Sequence, residues 1–111
     1  SLDVERAEIS IAQLEAQRRE TEINSEQEIN YLLAQIDLLA ELVEISLEQG
    51  ELANEKVIEE KIKYDEARGQ KSLLIAAQKN ANLSRLSNFQ AAASYQKIII
   101  DYRAATDQLF N

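Results

Sequence analysis

The chain has 111 residues, enough for one small domain, and a helix-former's composition: 45% hydrophobic but only 5% aromatic, with two glycines and no proline, cysteine, histidine, methionine or tryptophan. Twelve basic against twenty acidic side chains give a net charge of -8, which argues against nucleic acid and an anionic membrane surface as partners. Without cysteine, histidine or a glycine-rich loop, disulfide frameworks, thiolate or imidazole metal sites, the common nucleophile–base pairs and phosphate cradles are all excluded.

From Leu2 to about Ala67 the only breaker is Gly50, and one isolated glycine costs a long helix only about 1 kcal/mol, so a single helix is predicted over 2–67. Its apolar residues fall first at Val4, Ala7, Ile11 and Leu14, the three-and-four spacing of a narrow coiled-coil stripe that needs a partner helix. The segment from Arg18 to Glu28 offers only Ile23. The stripe resumes at Ile29, Ile36, Val43, Gly50, Val57 and Tyr64, a strict spacing of seven, with Leu32, Leu39 and Ala53 on the same side. The frame has slipped by four residues between 25 and 29, a stutter at which the helix is expected to change partner. Between 29 and 47, Leu33, Ala40 and Leu47 add a second stripe, which Leu38, Leu42 and Ile45 widen. A two-helix hairpin covers one stripe per helix, so this segment calls for another helix or another subunit.

Reversal of the chain is predicted at Gly69, between Ala67 and Ser72, with Ser72 as N-cap of a second helix over 72–110. The seam of that helix reads Leu74, Ala81, Asn88, Tyr95, Tyr102 and Leu109, with Ala77, Ser84, Ala91, Ile98 and Ala105 between them. Small residues there allow close helix approach. Tyr31, Tyr64, Tyr95 and Tyr102 read as seam residues rather than a stacking platform. Residues 1–67 hold 18 acids and 6 bases and residues 68–111 hold 2 acids and 6 bases, so folding back brings opposite charges together. A reversal near Gly69 makes facing residue numbers total about 139 and sets Glu60 by Lys79, Glu55 by Arg85, Glu41 by Lys97 and Asp37 by Arg103. At 1.5 Å per residue the helices are roughly 100 and 60 Å long, so residues 1 to about 28 overhang without a partner. The expected fold is all-α: one long antiparallel coiled-coil hairpin of unequal helices, a single unit over 1–111 cut from a longer protein.

Chemistry is sparse. The carboxylate pairs Glu22/Glu26 and Glu51/Glu55 lack the histidine that di-metal helical bundles combine with glutamate, so no catalytic, metal or cofactor site is expected. The surface singled out is the turn itself, where Arg68, Gln70 and Lys71 form a small basic tip on an acidic body.

With its helices and turn placed, the chain resembles the C-terminal periplasmic segment of TolC-like outer-membrane efflux and secretion channels. The resemblance rests on Ala7–Leu14 and Leu52–Tyr64, the turn ending Leu73-Leu74-Ile75-Ala76-Ala77-Gln78, then Ala91–Tyr95 and Asp101-Tyr102-Arg103-Ala104-Ala105 before Leu109. It differs at two places: the family's turn glycine falls at Ala67, with Gly69 displaced by two, and its turn aspartate falls at Leu73. The resemblance implies a homotrimeric outer-membrane protein of a Gram-negative bacterium, with this segment in the periplasm, where its helices form part of a tapered tunnel, and with the membrane strands outside this chain. The tip, Ala67, Arg68, Gly69, Gln70, Lys71, Ser72 and Leu73, would form the entrance and dock a periplasmic adaptor and inner-membrane transporter. Two other readings stay open: the hairpin of a periplasmic adaptor, which usually has helices of more equal length, and a cytoplasmic coiled-coil scaffold.

Overall fold

The computed structural model describes residues 1–110 and consists of two helices, α1 (Leu2–Asp65) and α2 (Lys71–Phe110), packed as an antiparallel hairpin 98 Å long and 21 by 14 Å across. Ser1 caps α1, its Oγ accepting from the Val4 N–H, and Asp3 and Glu5 place negative charge at the positive end of the helix dipole. The 64 residues of α1 account for the full length of the molecule at about 1.5 Å each.

One seam joins the helices. On α1 the covered positions step by three and four from Ser25 and Ile29 through Leu32, Ile36, Leu39, Val43, Ser46, Gly50, Ala53 and Val57 to Glu60. On α2 they run from Leu74 to Ala105 through every interior seam residue expected from the spacing. Buried among them are Leu32, Ala53, Ala77, Ala81 and Ala91, together with two polar residues, Ser46 and Glu60. A coiled-coil interface of this kind sets one helix's knobs against the other's gaps, and here large residues meet towards the open end (Leu32 with Tyr102, Leu39 with Tyr95) and small ones towards the tip (Gly50 with Ser84, Ala53 with Ala81).

The register is fixed in mid-hairpin. Asn88 Nδ2 donates to Ser46 Oγ (3.0 Å) and to the Val43 carbonyl (3.4 Å), while Ser46 Oγ donates to the same carbonyl (3.0 Å). Facing residue numbers therefore total 134, from 46 with 88, and this total sets Val43 against Ala91, Ala53 against Ala81 and Glu60 against Leu74. The predicted total of 139 is wrong because α1 ends at Asp65 and the left-handed residue of the turn is Ala67, two positions before Gly69. Consequently none of the four predicted cross-helix ion pairs forms. Every ion pair among the described residues runs along α1 or joins Glu66 to Arg68, and Glu60 lies in the seam instead of beside Lys79.

The same shift shortens the overhang. Residues 1–24 are exposed throughout, and the end of α2 reaches the level of Thr21–Ser25, where Leu109 and Gln108 face Thr21, Glu22 and Ser25 across a shallow groove. Leu2, Val4, Ile9, Ile11 and Leu14 are all more than half exposed, so the first stripe finds no partner among the described residues. Tyr31 is 62% exposed on the outer side of α1, and Tyr64 and Leu109 are only grazed by the seam at 42% and 40%; Tyr95 and Tyr102 are half-buried as expected. The second stripe is likewise uncovered: Leu33, Leu38, Leu42, Ile45 and Leu47 all face outward.

Candidate functional site at the hairpin tip

Backbone hydrogen bonds shape the tip. The Arg68 N–H donates to the Lys63 carbonyl (2.8 Å) and the Ala67 N–H to the Tyr64 carbonyl (3.0 Å), with Ala67 at φ 58°. These are the two bonds of a Schellman motif, and its left-handed residue is the one for which glycine is normally preferred because a Cβ crowds the following carbonyl. Alanine occupies it here.

Gly69 serves a different purpose. No glycine has a positive φ, so Gly69 is not needed for a left-handed bend. Its N–H donates to the Lys63 carbonyl (3.0 Å), and a Cβ on it would lie 2.9 Å from Lys63 Cβ and 3.2 Å from both Lys63 C and Tyr64 N. Close approach to the last turn of α1 is what excludes a side chain there. The expectation that Gly69 reverses the chain through its conformational freedom is thus replaced by a division of labour: Ala67 turns the chain and Gly69 lets it pass.

α2 starts one residue earlier than predicted. The Gln70 carbonyl accepts from the N–H groups of Leu73 (3.1 Å) and Leu74 (3.3 Å), which makes Gln70 the cap position and puts Ser72 inside the first turn. Lys71 opens a helix with no acid in its first turn, an arrangement opposed to the helix dipole. Arg68, by contrast, is tied down: its Nε donates to Glu66 Oε2 (2.7 Å), and its Nη2 contacts the same oxygen. The tip's basic character therefore rests on Lys71 alone. Beside it stands Leu73, 51% exposed, so the exposed lip offers one cation, one apolar side chain and the amide of Gln70 to a protein partner.

Behind the lip, α1 carries a ladder of charges along its own axis. Lys56 Nζ meets Glu60 Oε1 (3.1 Å) and Glu59 Oε2 (3.7 Å), and Lys63 Nζ meets Glu59 Oε1 (3.2 Å) and Glu60 Oε1 (3.9 Å). The hydrogen bond from Lys63, reinforced by the Lys56 charge, holds the Glu59 carboxyl below the usual carboxylate range. The hydrogen bond to Glu60 and the adjacent Glu59 charge raise the Lys56 ammonium above its ordinary value. Glu60 itself is 5% exposed and its Oε2 has no hydrogen-bond partner.

No family model, curated protein or solved structure matches the chain. The geometry has to stand by itself. The predicted tip residues Ala67 to Leu73 are brought together on one end of the molecule, whereas the seam residues are spread along its length by design. Spacing alone passed over Ser46 and Glu60, although extending the series Leu32, Leu39, Ala53 in steps of seven lands on both. Glu66 and Lys63, whose carboxylate and carbonyl hold the turn, carried no sequence signal, because their roles depend on where α1 stops.

Proposed function

We propose that the hairpin is a tunnel-wall segment of a trimeric outer-membrane channel for efflux or type I secretion, with the Ala67–Leu73 lip as its periplasmic entrance and adaptor-docking surface. The observation that carries this reading is the inequality of the helices. α1 continues for about 20 exposed residues past the level where α2 ends, with an unpartnered apolar stripe, as a helix does when it takes a second neighbour higher up. The exposed area supports an assembled molecule: 8859 Å² is accessible, against about 6,200 Å² for a compact monomer of 12.6 kDa. Such a segment acts by holding shape and by contact, and conducts its cargo without a chemical step. A helix end carrying Lys71 and Leu73 on an otherwise acidic body suits a partner surface with an acidic rim around an apolar dimple.

Two observations test this. In the intact protein, substituting Arg68, Gly69 and Lys71 together should reduce export while leaving assembly unchanged; undiminished export removes the docking role. Upstream of Ser1, the parent sequence should show alternating amphipathic strands. A parent that is helical throughout would favour the scaffold reading and end this one.

A further inference from the structure

Gly50 lies in the middle of α1 at a seam position, yet nothing in the chain requires a glycine there. Its backbone is ordinary helix, and a Cβ built on it meets no atom within 4 Å. A glycine inside a helix costs about 1 kcal/mol relative to alanine, so the missing side chain needs another explanation. The space it leaves is a notch of about 220 Å³ floored by Gly50, Leu47 and Ala81 and edged by the polar side chains of Ser46, Glu51, Asn54, Arg85 and Asn88, open on one flank of the hairpin. By heptad spacing the same flank runs on from the notch as a shallow apolar furrow edged by the exposed Leu47 and Leu33 and the half-buried Ala40 of α1 and by the half-buried Ala92 and Ile99 of α2. Its α1 rim carries Asp37, Glu44 and Glu51, seven residues apart, none of them ion-paired among the described residues.

The outer face of α2 has the complementary character. Leu83, Leu86 and Ile100 are 63%, 51% and 64% exposed, and Lys79 and Lys97 flank them without an ion-pair partner among the described residues. When two hairpins stand parallel and level, the register of 134 brings Leu83 and Leu86 to the height of Gly50, whose own facing residue is Ser84. The same alignment brings Lys97 to the height of Asp37 and Lys79 to that of Glu55. Apolar fit and charge agreement thus coincide in one arrangement.

We infer that a second copy of this chain seats the outer face of its α2 in this furrow, with a leucine filling the notch at Gly50. The inference deepens the channel reading and rests on it only for the symmetry. The contact joins two different surfaces, so each copy keeps one of each free and the arrangement repeats around a ring.

The chain contains no cysteine, so introduced thiols report the contact directly. Gly50→Cys combined with Leu86→Cys should form intermolecular disulfides on mild oxidation. Leu52→Cys with Leu86→Cys, on the opposite flank of α1, should not. By sedimentation equilibrium Gly50→Leu should weaken association at least about tenfold, as filling a central pocket does, without lowering the thermal midpoint of the hairpin. Lys97→Glu should also weaken association, and adding Asp37→Lys should restore it. Equal cross-linking on both flanks, undisturbed association of Gly50→Leu, or a chain that stays monomeric at millimolar concentration overturns the inference. Those results leave tip-dependent export untouched. Conversely, the expected cross-links in a protein whose parent lacks membrane strands would retain this packing and remove the channel.

Discussion

At the tip, two positions on either side of Arg68 make opposite demands. Ala67 holds a left-handed conformation that costs an alanine about 1 kcal/mol more than a glycine, whereas Gly69 holds an ordinary conformation but has no room for a Cβ. Ala67→Gly is therefore expected to stabilise the hairpin by about 1 kcal/mol and Gly69→Ala to destabilise it by about 1–2 kcal/mol, both read from thermal melts. If glycine were needed at 69 for its freedom, Ala67→Gly would be neutral or harmful. The charges behind the tip set a pH window. Glu59 is depressed by Lys63 and Lys56, so its contribution is present above its ordinary value of 4.5 and is lost as the pH falls through the lower folded value. Lys56 is raised by Glu60 and Glu59, so its contribution is present below 10.5 and is lost as the pH rises through the higher folded value. Both groups are open to solvent, so the effect is small and screened by salt. Glu59→Gln should flatten the acid limb of a stability profile at low ionic strength, and an unchanged limb would assign it to other carboxylates.

At the scale of the elements, register is the quantity that matters. Ser46 and Asn88 form a polar layer within a mostly apolar and alanine-rich seam, and such a layer costs some stability while penalising every slipped alignment in which an amide is buried unpaired. A thiol pair at Ala53→Cys and Ala81→Cys, both buried and facing at a total of 134, should close within one chain. The pair Glu60→Cys with Lys79→Cys, which a total of 139 would join, should not. The reverse outcome would restore the later turn. Much of this element structure was legible beforehand: both helices, the seven-residue series from Ile29 and from Leu74, and the doubled stripe at 29–47 all follow from spacing. The polar members Ser46 and Glu60 carry no signal in apolar spacing, although they occupy seam positions as firmly as Leu39 does.

For the whole molecule the exposed first quarter of α1 is decisive. Residues 1–20 are exposed throughout and pack on no other described element, so removing them should lower helix content in proportion and leave the hairpin's thermal midpoint unchanged. A fall in the midpoint of several degrees would mean that the overhang folds back or supports the seam. In an assembled molecule the same truncation should matter more, since the stripe from Leu2 to Leu14 has to be covered by something outside this hairpin.

The sequence by itself determined the all-α hairpin, its unequal arms and its single seam, because heptad spacing, the absence of proline and the placing of two glycines are local properties of a helix. The place where the chain reverses was decided only by tertiary structure. Which residue takes the left-handed conformation depends on where the two seams agree on a common register, and Ala67 accepts a cost of about 1 kcal/mol so that Ser46 can meet Asn88. From that choice follow the loss of the predicted ion pairs, the burial of Glu60 and the length of the overhang, all of which depend on two helices at once.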